Sequence, residues 1–232
     1  MIFLKIADTD RHHLVQNISL SFLAGYIDTI GFVALFGLFT AHVTGNFVLI
    51  GAELVRPSHG VLIKFLAFPA FVLAVAFTRL VVIWREKQGK PATPSLLLLQ
   101  LVLLLGFLFA GYCAEPITDT STTMALLAGI LGAASMGVQN AASRLTLKHM
   151  TPTTVMTGNV TQLVIDLVDI VRHTADEETR SRCVKFFWPV IFFGIGAVGG
   201  AFAYSHVHFL ALLLPAVLLI YLYFIEVSGD TG

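Results

Sequence analysis

The stretch GYID at residues 25–28, followed by TGN at 44–46, has a second copy later in the chain. There GVQN at 137–140 is followed by TGN at 157–159. The spacing within the two copies is nearly equal: the Thr of TGN lies 16 positions after the last residue of GYID and 17 positions after the last residue of GVQN. Self-similarity of this kind indicates an internal duplication.

The duplication extends beyond these motifs. A carboxylate follows each TGN by seven residues, Glu53 in the first copy and Asp166 in the second. A proline inside an apolar run comes next in each copy, at Pro69 and Pro189. We therefore expect two copies of one structural unit of about 110 residues.

The composition indicates a helical membrane protein. Apolar residues make up 56% of the 232 residues and charged residues only 12%, whereas a soluble domain carries about 25% charged residues. A transmembrane helix needs about 20 mostly apolar residues. Six stretches meet that requirement: 17–38, 61–83, 94–112, 123–143, 186–204 and 207–225. So few residues separate the last two that we expect a tight helical hairpin around Ser205 and His206.

The basic residues predict the orientation, since lysine and arginine accumulate in cytoplasmic loops. With the N-terminus in the cytoplasm, 12 basic residues lie inside and 2, Arg56 and Lys64, lie outside. Both termini are therefore expected in the cytoplasm. The loop around Glu115 and Asp119 has no basic residue and is expected outside.

Two further segments, 41–55 and 154–171, are apolar but short for a span. If both crossed the membrane, the basic residues would be divided almost evenly between the two sides. We therefore expect two short helices that are re-entrant or interfacial. The predicted fold is all-α, a polytopic membrane protein with six transmembrane helices in a single membrane domain, 1–232. Its repeats are expected at about 14–113 and 121–226.

An odd number of spans in each repeat has a topological consequence. Three spans leave the chain on the opposite side of the membrane, so the second repeat enters upside down. The two repeats are then related by a pseudo-two-fold axis in the membrane plane, as in several families of secondary transporters. In such proteins the substrate site lies between the repeats.

Asp28 falls near the middle of the first predicted span. A charged group at that depth costs a few kcal/mol on insertion scales, so it normally faces a cavity or a partner. Asp28 is a candidate proton or cation site; the alternative is a protonated side chain that hydrogen-bonds a neighbouring helix. Its counterpart in the second copy, Asn140, has the same shape and no charge, and Gln139 beside it completes the candidate polar pair.

The two TGN triplets allow two interpretations. Glycine permits a sharp turn or a close helix contact, and Thr and Asn favour helix starts. Helices that begin at membrane depth can hold ions at their ends. The alternative is a pair of helix N-caps beside a close helix contact, with no ligand. The candidate residues are Thr44, Gly45, Asn46, Thr157, Gly158 and Asn159.

The carboxylates after the triplets also allow two interpretations. Glu53 and Asp166 lie two turns beyond the Asn of each triplet, on the same face of a helix. They could reach the site or form the solvated ends of amphipathic helices. For Asp166, with Asp169 nearby, the solvated end is the favoured interpretation.

Other classes of function lack support. Nucleophile and zinc-protease motifs are missing, so no enzyme is expected. His42 and His149 have no metal-ligand spacing, and neither a metal nor a cofactor is expected. The net charge is zero, so no nucleic acid is expected. The expected partners are the lipid bilayer and an unidentified small molecule or ion, with a homodimer as an open alternative.

Four stretches carry a resemblance to a known family: AGYID at 24–28, FTAHVTGN at 39–46, GVQNA at 137–141 and VMTGN at 155–159. They resemble the YoaK family of small bacterial inner-membrane proteins, which is catalogued as a domain of unknown function. The resemblance covers nearly the whole chain. It implies six predicted spans and a bacterial inner (cytoplasmic) membrane, and it supplies no activity.

The duplication and the intramembrane carboxylate favour a small secondary transporter, with a substrate or ion site between the repeats and proton coupling through Asp28. The main alternative is a non-transporting membrane protein, such as a sensor or an assembly partner. An intramembrane enzyme is a third hypothesis, for which no nucleophile motif is present.

Overall fold

The computed structural model of the chain describes residues 8–56, 60–119 and 121–229, and the regular elements of this part are all helical. The helices are α1 (Asp8–Ala34), α2 (Gly45–Val55), α3 (Val61–Lys87), α4 (Thr93–Ala114), α5 (Thr123–Leu145), α6 (Met156–Val171), α7 (Glu177–Val207) and α8 (Leu213–Gly229). A 3-10 helix, His208–Leu212, joins α7 to α8. The predicted all-α class is confirmed.

The helix ends follow ordinary capping chemistry. Asp176 precedes α7, and its side chain accepts a hydrogen bond from the backbone N–H of Thr179 at 2.8 Å, which satisfies one of the free donors of the first turn. Helix α3 ends with Arg85 and Lys87 in its last turn, where positive charge complements the helix dipole. Gly89, with φ of +65°, then turns the chain toward α4.

Helix α1 ends earlier than the predicted span 17–38. It stops at Ala34 because Phe36 and Gly37 both take positive φ values, 52° and 79°. The N–H of Gly37 donates to the carbonyl of Phe32 at 2.9 Å, which is the hydrogen bond of a Schellman helix end. A non-helical segment follows and carries the first candidate site.

Five helical stretches of the described chain are long and apolar enough to cross a membrane: His13–Ala34, Val61–Lys87, Thr93–Ala114, Thr123–Leu145 and Glu177–Ser228. A polytopic helical membrane protein is therefore confirmed. The last stretch has 52 residues and contains both α7 and α8, so the count of six crossings stays a prediction. Segments 41–55 and 154–171 contain the short helices α2 and α6, of 11 and 16 residues.

The expected hairpin around Ser205 and His206 is wrong in its packing. The chain turns at His208, whose φ of 51° ends α7. Within the described residues α7 and α8 do not pack against each other: α7 packs on α1 and α6, and α8 packs on α4 and α1. The 3-10 helix accounts for this, because it carries the chain sideways before α8 begins.

Helices α1 and α5 form the centre of the molecule. In the most apolar window of each, 67% of the residues are buried, against 22% in α3. The outer helices instead expose large apolar side chains, with Leu73 of α3 68% exposed and Phe202 of α7 66% exposed. A surface of this kind suits contact with lipid chains.

The central helices pack on the third helix of the opposite half of the chain, α1 on α7 and α5 on α3. The duplicated glycine makes both contacts. A Cβ atom at Gly25 would meet the carbonyl oxygen of Phe193, and one at Gly137 would lie 3.0 Å from the carbonyl oxygen of Phe71. Only glycine lets helix backbones approach this closely.

Candidate functional site

Asp28 anchors the segment that follows α1. Its Oδ1 accepts hydrogen bonds from the backbone N–H groups of Thr40 and Ala41, each at 2.7 Å, and from the Thr40 hydroxyl at 3.3 Å. Its Oδ2 lies 2.6 Å from Nδ1 of His42. The side chain is only 6% exposed, yet both carboxylate oxygens have hydrogen-bond partners. A carboxylate with this set of donors is well satisfied although it is buried.

His42 connects this buried carboxylate to the surface. Its side chain is 35% exposed, and its ring stacks edge-on against Phe193 of α7 with centroids 5.7 Å apart. The Asp28 cluster therefore lies where α1 meets α7. His42 sits in the connection between α1 and α2, outside the five candidate spans, and its hydrogen bond to Asp28 raises the pKa of its imidazole.

The Asn of each TGN triplet binds the backbone seven residues before it. Oδ1 of Asn46 accepts from the N–H of Phe39 at 2.9 Å, and its Nδ2 donates to the carbonyl of Phe39 at 2.8 Å. Nδ2 of Asn159 donates to the carbonyl of Pro152 at 2.6 Å. Both asparagines are buried. The equal spacing means that the duplicated Asn fixes an equivalent stretch of non-helical chain in each half.

The threonines and glycines of the triplets do not bind the preceding segment as the asparagines do. Thr44 precedes α2 without a side-chain capping hydrogen bond, and Thr157 lies inside α6, which begins at Met156. The interpretation of the triplets as helix N-caps therefore does not hold for the threonines; the asparagine of each triplet instead binds the chain before the helix. A Cβ at Gly45 would lie 3.1 Å from the ring of Phe39, whereas one at Gly158 would meet nothing within 4 Å among the described atoms.

Glu53 forms a buried ion pair with the following helix. Its Oε1 lies 2.7 Å from Nζ of Lys64, and that Nζ also donates to the carbonyl of Phe36 at 2.6 Å. The Lys64 side chain is completely buried, although the charge count took it as one of the two basic residues on the outer side. Oε2 of Glu53 is buried without a hydrogen-bond partner among the described residues.

Asp166 forms the corresponding pair in the second half. It accepts hydrogen bonds from Arg182 at 2.8 Å through Nη2 and from Gln162 at 2.8 Å, and its side chain is fully buried. The hydrogen bond from Arg182 lowers the pKa of Asp166. The favoured interpretation of Asp166 as a solvated helix end is therefore wrong. In both halves the short helix is tied by a carboxylate to a cation near the start of the next helix.

Gln139 and Asn140 belong to a second polar cluster. Nε2 of Gln139 donates to the Leu20 carbonyl at 2.8 Å and to the Thr153 hydroxyl at 3.0 Å. Its Oε1 accepts from Gln100 at 2.8 Å. Neutral side chains therefore link α1, α4 and α5 through this one glutamine.

Asn140 holds the segment before α6, since its Nδ2 donates to the hydroxyl of Thr154 at 2.7 Å. This contact parallels the one between Asp28 and Thr40. Among the described residues no hydrogen bond joins the Asp28 cluster to the Asn140 cluster, so the two duplicated positions do not share one site in this conformation.

A pocket of about 550 Å³ opens beside the end of α1. Glu115, Tyr204 and His208 supply its polar groups, and Oε1 of Glu115 lies 3.4 Å from Nδ1 of His208. The sequence reasoning missed this pocket. Glu115 and His208 are 93 positions apart and belong to different halves of the chain, and the only available signal was an acidic residue in a loop without basic residues.

Comparison with known proteins gives two matches. The model of the family described as "Protein of unknown function (DUF1275)" matches residues 16–225. The curated protein "UPF0700 transmembrane protein YoaK" of Bacillus subtilis (strain 168) is 28% identical over 200 residues, which are 84% of this chain and 86% of that protein. No solved structure matches the chain.

Proposed function

The chain belongs to the DUF1275 family of proteins of unknown function, and from this premise we propose that it is a small secondary transporter coupled to protons through Asp28. The substrate is a small molecule or ion that binds between the two halves. The chain is proposed to act without chemical catalysis, as a multi-pass protein of the bacterial inner membrane with both termini in the cytoplasm.

The observation that carries this proposal is the reciprocal packing of the two halves. Each half has a long, a short and two further helices in the same order. The first helix of each half packs on the third helix of the other, through the same glycine of the duplicated motif. Reciprocal contacts of this kind are expected of inverted repeats, which in many transporters rock against each other around a fixed site.

Asp28 and His42 support a proton path to the interface between the halves. In the proposed step, protonated His42 transfers the proton on Nδ1 to Oδ2 of Asp28, 2.6 Å away. The imidazole becomes neutral with its remaining proton on Nε2, and the carboxylate becomes a carboxylic acid. A rotation of the ring then exposes Nδ1, which regains a proton from solvent. A histidine of this kind is suited to proton transfer near neutral pH.

Protonation of Asp28 would weaken its hydrogen bonds to the segment after α1. The carboxylate is a strong acceptor for the N–H groups of Thr40 and Ala41. A neutral acid is a weaker acceptor, because bonds to an ionised group are about twice as strong as neutral ones. The proton therefore loosens the link between α1 and the segment before α2. This is the coupling between proton binding and movement that the proposal requires.

Two matched positions test whether the two halves open alternately. Thr40 and Thr154 are both buried, and each hydroxyl bonds the duplicated polar residue of α1 or α5. Each would be replaced by cysteine in a background with Cys113→Ala and Cys183→Ala. Labelling would use an impermeant thiol reagent on right-side-out and inside-out membrane vesicles.

A transporter predicts that Thr40→Cys reacts from the outside and Thr154→Cys from the cytoplasmic side, because each becomes accessible in one of two exchanging states. Adding Asp28→Asn should change the ratio of the labelling rates of the two cysteines. A non-transporting membrane protein, in which Asp28 is only a structural anchor, predicts that both cysteines stay unreactive from either side. That result would count against the proposal.

A further inference from the structure

We propose that the pocket beside the end of α1, which we call the Glu115 pocket, binds a small organic ammonium ion. It is lined by Val33, Ala34, Phe36, Glu115, Pro116, Ile117, Tyr204 and His208. The inference does not depend on transport, because it concerns binding to a pocket separate from the Asp28 cluster.

The first argument is electrostatic. The lining residues come from the C-terminal ends of three helices, α1, α4 and α7. A helix C-terminus carries a partial negative charge of about half an elementary charge. Three such ends meet here together with the carboxylate of Glu115. The pocket is therefore a place of negative potential, and a cation is its complementary ligand.

The neighbouring basic groups do not cancel this potential. Among the described residues no lysine or arginine pairs with Glu115. Nζ of Lys64 donates to the carbonyl of Phe36 just beyond α1 at 2.6 Å, but its charge is balanced by the carboxylate of Glu53 at 2.7 Å. His208 faces Glu115 at 3.4 Å and is 63% exposed, so a ligand can displace it.

The second argument is the character of the walls. A metal cation such as Ca²⁺ takes six to eight oxygen ligands, and one carboxylate does not supply them. Tyr204 and Phe36 instead offer aromatic rings, and Val33, Pro116 and Ile117 offer apolar surface. Aromatic rings with a carboxylate favour an ammonium ion that carries alkyl groups. A pocket of about 550 Å³ falls within the usual range for small ligands.

The test compares choline with 3,3-dimethylbutan-1-ol, its uncharged isostere, on the purified full-length protein in detergent. Binding would be measured by calorimetry and by the shift in unfolding temperature. We expect choline to bind with a Kd of about 1 mM and to raise the unfolding temperature, and the isostere to do neither. Equal binding of the two compounds would reduce the site to an apolar cavity and overturn the proposal.

Glu115→Gln removes the charge and keeps an oxygen that can accept from the N–H of Phe209, as Glu115 does at 3.4 Å. It should weaken choline binding about tenfold. Asp119→Asn is the matched control, because it removes one negative charge from the same loop without lining the pocket. It should leave the Kd unchanged.

Tyr204→Leu gives a second variant that keeps the charge and removes a ring. It should weaken choline binding several-fold, because the ring supplies part of the attraction for the ammonium ion. Unchanged binding in Glu115→Gln, or no stabilisation of the native protein by choline at about 50 mM, would overturn the assignment.

Discussion

Nδ1 of His42 lies 2.6 Å from Oδ2 of Asp28, and the imidazole is 35% exposed where the carboxylate is 6% exposed. The histidine therefore stands between a buried acid and the surface. Its protonated form is favoured by this hydrogen bond, so the stability of the segment between α1 and α2 is linked to pH.

The first prediction concerns that linkage. The pKa of His42 is raised in the folded protein, so its contribution to stability is fully present below the unfolded pKa, about 6.5, and is lost as the pH rises through the folded pKa. The unfolding temperature of the native protein minus that of His42→Gln should therefore fall as the pH is raised from neutral to alkaline. In the Asp28→Asn background this difference should not vary with pH; a variation of the same size there would assign the effect to another group.

The second prediction separates the charge of Asp28 from its shape. Asp28→Asn keeps an oxygen for the N–H groups of Thr40 and Ala41 and should fold with a small loss of stability. Asp28→Ala leaves both donors unpaired at a cost of about 1–3 kcal/mol each. Thermal unfolding in one detergent would compare the two variants. Equal losses would mean that these hydrogen bonds do not hold the segment.

The third prediction concerns the duplicated asparagines. Asn46 satisfies both the N–H and the carbonyl of Phe39. Asn159 donates to the carbonyl of Pro152 and, weakly, to Sδ of Met156, and its Oδ1 has no backbone N–H to accept from at Pro152, since proline has none. Asn46→Ala should therefore cost about 1–3 kcal/mol more than Asn159→Ala. Denaturant or thermal unfolding of the two variants measures the difference, and a larger loss in Asn159→Ala would contradict the assignment.

The fourth prediction is that the two triplet glycines respond oppositely. At Gly158 a Cβ meets open space, so Gly158→Ala should stabilise α6 by about 0.5–1 kcal/mol through helix propensity. At Gly45 a Cβ would lie 3.1 Å from the ring of Phe39. Asn46 binds both the N–H and the carbonyl of Phe39, which restricts its movement. Gly45→Ala should therefore destabilise. Unfolding temperatures that rise for both variants would show that Phe39 can move aside.

The fifth prediction concerns orientation. Cys113 at the end of α4 is exposed, and the proposed topology places it outside, so it should react with an impermeant thiol reagent added to intact cells. Cys183 is buried and cannot serve as the opposite marker. Lys90→Cys, in the exposed turn between α3 and α4, replaces it in a Cys113→Ala background and should react only after permeabilisation. The reverse pattern would invert the topology.

The sequence predicted the helical elements and the positions of the duplicated polar residues, because apolar run length and internal repetition are local properties. It did not predict what Asn46 and Asn159 bind. Their partners are backbone groups of Phe39 and Pro152, and a backbone acceptor has no residue-type signature.

Charge counting also assigned each basic residue to a side of the membrane without regard to its partners. It therefore gave no sign that Nζ of Lys64 is buried against Glu53 and the carbonyl of Phe36. The Glu115 pocket was missed for a different reason. Its walls come from three helix ends that are distant in sequence, and only the folded chain brings them together.

The buried pair of Glu53 and Lys64 also constrains how the chain enters the membrane during synthesis. Lys64 lies near the start of α3 and Glu53 near the end of α2, so neither charge can be placed alone in hydrocarbon without a cost of a few kcal/mol. We therefore expect helices α2 and α3 to enter the bilayer together, with the two charges already paired.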